Sequence, residues 1–344
     1  VHRAAPQDHA EWVTRGAMIS ARAAPIALRR QRRRLGDSIF GTGVAMTGGL
    51  VVVVIAGMLL FLVLQALPAM QHYNFFSFIT SARWAPSEAD ASIAHPNPYG
   101  ILQFMYGMLI TSVIGMIIAV PLAIGAALVI TEVAPRRIQR PLSSLVDLLA
   151  AVPSVVYGFW GIFALIPAIR PIVDFLTSTL GTVPVIGVVF AGPFFGVSYF
   201  TAGLVLAIMI LPIIAAVCRE VFRSTPRNEK EAAYALGATR WEMIRIAVLP
   251  RARSGIVGAS LIGLGRALGE TIAVTMVIGN SVLHINTSIF SQGATMASVI
   301  ANEFTEATEP FHLSALFVVG FWLLVVALIV NVAARVVVRR GVAL

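Results

Sequence analysis

The chain is poor in the residues that most protein chemistry needs. It has one cysteine, Cys218, so it forms no internal disulfide and no multi-thiolate metal centre. That cysteine lies in an apolar run and reads as a small buried residue. It has one lysine, Lys230, flanked by Glu229 and Glu231. A phosphate-cradling P-loop needs Gly-Lys-Ser/Thr, so the chain contains none, and any ATP it uses is bound by another chain. The histidines His2, His9, His72, His95, His284 and His312 include no two at metal-site spacing. Charge is scarce as well, at 12% of 344 residues, where soluble domains carry about 25%. With 58% hydrophobic residues there is too little polar surface to cover a globule. That excludes an ordinary soluble enzyme, a disordered chain and a nucleic-acid binder built on a basic patch. A polytopic membrane protein remains.

What is abundant is apolar length. Runs of about 20 apolar residues predict an all-α protein with six transmembrane helices. They fall at 39–64, 101–131, 142–166, 199–218, 255–278 and 313–334. The first belongs to a segment 38–67 that Pro68 is expected to end. The third carries one acid, Asp147, near its start. Between the third and fourth, Gly181, Pro184, Gly187, Gly192, Pro193 and Gly196 punctuate the chain too often for one straight helix. Residues 1–37 form an arginine-rich tail ending in Arg29-Arg30-Gln31-Arg32-Arg33-Arg34. No signal-peptide pattern precedes it, and it reads as a solvated, topology-fixing segment. A core at 101–338 follows the first span, with a cytoplasmic loop at 219–254.

The basic residues sort themselves by side. Of 25, eight precede the first span, three lie between the second and third, eight between the fourth and fifth, and three after the sixth. Those segments all fall on one side of a six-span chain, and only Arg83 and Arg170 fall on the other. The positive-inside rule then places both termini in the cytoplasm. The net charge of +9 is thus a topology signal. One arginine, Arg266, falls inside a span.

The 219–254 loop is expected to hold two short helices. Thr225-Pro226 is a helix start, with a hydroxyl cap and proline at the first helical position. A helix over 228–236 ends at Gly237, and a second piece over 239–248 ends at Leu249-Pro250. Ala232, Ala233 and Ala235, with Tyr234 and Trp241 nearby, make a surface that a groove on another protein can approach closely.

The fifth span carries the other informative pattern. Gly255, Ala259, Gly263 and Ala267 recur every four residues and predict a close-packed helix face. Arg266 and Glu270 are one turn apart and within pairing reach. An arginine at membrane depth costs about 2.5–3.5 kcal/mol on insertion scales and usually marks a pathway. Its planar fork suits an oxyanion bidentately, and Glu270 would hold it and temper its charge. The plainer reading is a structural pair that fixes this span against a neighbour. The acids Glu303, Glu306 and Glu309 read as a solvated loop, and Trp84 and Trp322 as interface anchors.

These stretches resemble a known family. Glu231-Ala232-Ala233, Gly237 and Leu249-Pro250 resemble the signature loop of ABC importer permeases, with Ala247 and Ile246 departing slightly from its pattern. The run 265–274, Gly-Arg-Ala-Leu-Gly-Glu-Thr-Ile-Ala-Val, resembles the motif of the phosphate-specific permeases. The stretches at 119–125 and 151–158, with Trp160-Gly161, agree, and 272–280 favours the PstC-type over the PstA-type branch. The resemblance covers about residues 36–340. It implies a type I ABC importer permease fold that forms half of a phosphate path and is not itself an enzyme. It implies a PstA-like second permease, two PstB-like ATPases holding ATP and magnesium, and an extracytoplasmic PstS-like binding protein. It implies Arg266, Glu270, Thr271 and Ser154 along the path, no cofactor on this chain, and ATPase coupling through Glu231, Ala232, Ala233, Gly237, Leu249 and Pro250. Molybdate, sulfate or another oxyanion is the alternative cargo. An ion-driven secondary transporter is disfavoured because no internal repeat relates the two halves.

Overall fold

A computed structural model describes residues 35–86, 98–282 and 285–342. The arginine cluster at 29–34 lies outside the described residues, as do His95 and His284. Among the described residues the regular structure is helical, with two isolated bridges, Trp84–Tyr99 and Gly279–Gly293. The chain divides into two compact units, Val1–Met58 and Leu59–Leu344.

Helix α1, Leu35–His72, runs through that division. In the first unit its described side chains are exposed all round, its large apolar ones from Phe40 at 74% down to Val54 at 51%. An unbroken apolar helix with no polar face is the form a segment takes in hydrocarbon, where every backbone group must bond within it. Pro68 does not end it: the helix continues to His72. The repair is visible in the second unit. Ser314 Oγ accepts the Ala69 N–H at 3.1 Å and donates to Gln65 O at 2.7 Å. One hydroxyl thus bridges the i to i−4 pair beside the proline.

The second unit continues with α2 (Phe75–Thr80), α3 (Leu102–Leu128), α4 (Arg136–Ala150), α5 (Ser154–Trp160) and α6 (Ile166–Leu180). Then come α7 (Gly187–Phe190), α8 (Tyr199–Arg223), α9 (Arg227–Ala235), α10 (Arg240–Met243) and α11 (Leu249–Leu268). Helices α12 (Ile272–Ile278), α13 (Met296–Glu303) and α14 (Pro310–Val342) complete it. Among the described residues, five helical stretches are long and apolar enough to cross a membrane. A sixth arises if Arg240–Leu268 and Ile272–Ile278, bent by 63°, form one span.

Three π turns interrupt these helices, at Val129–Val133, Gly161–Leu165 and Ile244–Val248. Each is followed two residues later by a proline: Pro135, Pro167 and Pro250. A proline leaves one carbonyl without its donor and crowds it with the ring. The wider turn takes up one extra residue, as in the i to i−5 bond from Leu249 N–H to Ile244 O. The Leu249-Pro250 stop expected from sequence is therefore a continuation, with Pro250 in the first turn of α11.

The third span also differs from its expected place. Residues 142–166 are not one helix. The first half belongs to α4, whose polar stripe Arg136, Arg140, Ser143 and Asp147 lies opposite an apolar one, and the break comes at Pro153. The spanning stretch is Ser154–Leu180. Asp147 therefore sits outside the spans and pairs with Arg219 of α8 at 2.5 Å.

Helix α8 forms the centre. Ile210, Ile214, Ala215, Cys218 and Phe222 on it are fully buried. Glycines let neighbours close in on it. A Cβ on Gly203 would stand 2.5 Å from Ile114 of α3; one on Gly255 of α11 would stand 2.5 Å from Val221, and one on Gly263 would stand 2.6 Å from Ile214. The predicted small-residue face of the fifth span is thus the face that meets α8. A second cluster forms around Trp84, Tyr99, Phe104 and His312. Trp84 is buried there and is no interface anchor. Its Nε1–H donates to Glu303 at 2.8 Å, and His312 lies 2.9 Å from the same oxygen. Glu303 is therefore structural, while Glu306 and Glu309 stay exposed as expected for a solvated loop.

Candidate functional site

The bend between α11 and α12 builds the first site. Gly265 and Gly269 weaken the helix there, and Leu268 is its last regular residue. Ala259, Gly263 and Ala267 turn inward to α8, so Ile262, Arg266 and Gly269 point to the opposite, open face. The Arg266 side chain is 47% exposed, and its Nη2 lies 3.6 Å from Glu270 Oε2. Glu270, only 6% exposed, also accepts the Ala273 N–H through Oε1 at 3.5 Å. The carboxylate is thus fixed from both sides of the bend, at the positive end of α12. The expected one-turn pairing is present; the expected straight helix is not.

Thr271 adjoins this region, and Ser154 is related to it only through the helix it opens. Thr271 precedes α12 and turns its hydroxyl onto Gly269 O at 3.4 Å. Ser154 opens α5, the helix that packs on α12 where a Cβ on Gly158 would stand 2.5 Å from Met276 Sδ. Neither contacts Arg266 or Glu270 through any hydrogen bond among the described residues.

The second site is the loop after α8. Gly237 takes φ +84°, and the Ala238 N–H returns to Ala233 O at 3.1 Å, closing α9 as expected of a left-handed stop. The start differs: Pro226 is the cap residue, and Thr225 is buried without capping the helix. Glu231 and Ala232 face outward, as do Tyr234, Leu236 at 87% exposure and Trp241 at 62%. Ala233 does not: it is buried against the protein's own core, leaving the aromatic and leucine side chains as the apolar part of the exposed face. Leu249 is partly buried and Pro250 exposed.

Ion pairs that sequence spacing does not reveal lock this loop in place. Lys230 Nζ lies 2.6 Å from Glu132 at the end of α3, with side chains 20% and 7% exposed. Arg251 of α11 lies 3.3 Å from Glu229. Helix α9 is thus tethered to two spans at once. Their sequence signal is only that Lys230 and Glu132 are rare charges in an apolar chain.

The comparisons with known proteins agree with this architecture. The family model for binding-protein-dependent transport system inner membrane components matches residues 119–341. A phosphate transport system permease protein PstC of Xylella fastidiosa (strain 9a5c) is 47% identical over 77% of this chain and 79% of its own. PstC 2 of Mycobacterium tuberculosis is 42% identical over 90% and 94%. Among solved structures, a bacterial ABC transporter importing the acidic polysaccharide alginate aligns with TM-score 0.50 and 17% identity. That alignment covers 88% of this chain and 98% of the other, a likeness of fold. With five to six candidate spans and these matches in place, the chain belongs to the binding-protein-dependent inner-membrane transport components, a family of ABC importer permeases, and within it to the PstC-type branch.

Proposed function

We propose that this chain forms half of the translocation path of an ATP-driven importer of inorganic phosphate. The observation that carries the reading is Arg266: a half-exposed guanidinium at a bend, held by a carboxylate that is almost fully buried. A guanidinium fork replaces water around a tetrahedral oxyanion with two parallel donors. Glu270 keeps the fork oriented and lowers the net charge of the site, so that the anion leaves again. Thr271 and Ser154 are secondary donors along the path. The phosphate permeases among its relatives support this cargo over sulfate or molybdate.

The open face of α11 is where a PstA-like second permease completes the path. The loop carrying Glu231, Ala232, Ala233, Gly237, Leu249 and Pro250 docks a PstB-like ATPase, one of two that hold ATP and magnesium. Closure of the ATPase pair pulls on α9 and rearranges the spans between outward- and inward-facing states. A PstS-like protein delivers phosphate on the far side. Both termini lie in the cytoplasm, with the basic segments.

Phosphate uptake by the assembled complex tests the reading. Arg266→Gln, with normal assembly, is expected to abolish uptake; retained uptake overturns the role of Arg266. Excess sulfate or molybdate is expected to leave phosphate uptake unchanged, and competition by either overturns the assignment of phosphate.

A further inference from the structure

A basic concavity lies where α4 meets the end of α8. It encloses about 590 Å³ and is lined by Arg136, Arg137, Gln139, Arg140 and Arg223. Arg223 is braced across the gap, Nη2 donating to Ser143 Oγ at 3.4 Å. One carboxylate offsets the group, Glu220, which pairs with Arg223 at 3.1 Å. Arg136, Arg137 and Arg140 have no acid paired with them among the described residues. The first turn of α4 contains no acid either, so these arginines oppose the positive end of their own helix dipole. Self-repelling charge gathered around a hollow favours an anion in it.

The other face of α4 indicates which anion. Ile138, Leu145 and Leu149 recur at helical spacing and are 46%, 58% and 50% exposed. A helix with one apolar exposed stripe and one basic stripe lies in a membrane interface, apolar side down. It also joins two spans, α3 and Ser154–Leu180, at the end where Lys230 meets Glu132. The concavity therefore opens at headgroup depth, on the side of the coupling loop. Basic pockets between spans at that depth bind anionic phospholipid headgroups. We propose that it holds the phosphodiester of an anionic phospholipid, bound by Arg136, Arg137 and Arg140 and closed by Arg223. The lipid would fix α4 against α8 beside the coupling helix. This goes beyond the transport reading and uses none of its path residues.

The test uses the assembled transporter in nanodiscs of phosphatidylcholine with or without phosphatidylglycerol. Native mass spectrometry reads the retained lipid, and ATP turnover reads its effect. The native complex is expected to retain phosphatidylglycerol over phosphatidylcholine. Arg136→Gln/Arg137→Gln/Arg140→Gln is expected to weaken that preference on the order of 100-fold, three charges each acting near an anionic leaflet. If the triple variant fails to assemble, Arg137→Gln alone is expected to weaken it roughly 5-fold. An unchanged preference in either variant overturns the proposal. So does displacement of the lipid by millimolar inorganic phosphate, which marks a free-anion site. So does loss of ATPase capture with lipid retention intact, which marks a protein contact.

Discussion

At the residue scale, single polar groups do disproportionate structural service because little else in the chain is polar. Ser314 shows this most directly. Its hydroxyl occupies a gap in the α1 ladder that Pro68 opens, taking one backbone N–H and satisfying one carbonyl. Ser314→Ala removes the partner of the buried Ala69 N–H and of the part-buried Gln65 carbonyl, and a buried group so orphaned costs about 1–3 kcal/mol. The expected outcome is a lower detergent melting temperature for the complex, with Ser314→Thr closer to wild type; equal melting for Ala and wild type would overturn the account. Arg266 and Glu270 were readable from sequence because helical spacing alone places them one turn apart. The Ser314 bridge was not, since its partners lie 249 and 245 residues away and serine in an apolar helix is unremarked by hydropathy. Trp84 failed for the same reason: its acceptor, Glu303, is 219 residues distant.

At the element scale, the short helix α9 is the piece whose position would decide coupling on the proposed reading. Nine residues do not hold a helix in water unaided. Lys230 to Glu132 and Glu229 to Arg251 hold it against α3 and α11. Because Glu132 is nearly buried, removing its partner strands a carboxylate, so Lys230→Gln should loosen α9 from α3. The expected result is ATP turnover that persists while phosphate uptake per ATP falls. Glu132→Gln combined with Lys230→Gln should recover part of the ratio, since no charge is then stranded. A ratio unchanged in the single variant removes Lys230 from the transmission route. The neighbouring α10 carries a pH signature. Glu242 takes the Thr239 backbone N–H and the Thr239 hydroxyl in a capping box, which lowers its pKa from the ordinary 4.5. A lowered folded-state value means that the cap stabilises fully above the ordinary carboxylate range and is lost as pH falls through the lowered value. Protection of the backbone amides of 239–243, relative to their intrinsic exchange rates, should thus fall in acid in the native chain, and Glu242→Gln should flatten that dependence. The Gly237 stop was legible because it is local, whereas the hydroxyl cap expected of Thr225 is absent because Pro226 takes the cap position. The π turns were not, although a proline two residues on accompanies each, because proline within an apolar run reads as a stop.

At the scale of the whole molecule, six spans are reached when the bent pair Arg240–Leu268 and Ile272–Ile278 is taken as one crossing, and one expected span was misplaced. The apolar run 142–166 is continuous in composition, but its first half is amphipathic and its break at Pro153 shifts the crossing to Ser154–Leu180. The shift preserves the parity of a six-span arrangement, so its sorting of basic residues is unchanged: Arg136, Arg137 and Arg140 fall on the side of the 219–254 loop, and Arg83 falls opposite. Arg170 moves into the span helix, where its guanidinium lies 5.9 Å from the Phe194 ring. This leaves the segments opposite the 219–254 loop almost without cations, a stronger asymmetry than the linear count implied. The lone cysteine makes the orientation measurable without a cysteine-free background, because Cys218 is fully buried and should stay silent to a water-soluble maleimide. Ser224→Cys, exposed just before α9, and Val185→Cys, 88% exposed between α6 and α7, then report opposite sides. In intact spheroplasts Val185→Cys should label and Ser224→Cys should label only after lysis. The reverse pattern would invert the molecule and place the coupling loop where no ATP is available; labelling of both in intact cells would break the parity on which the six-span arrangement depends.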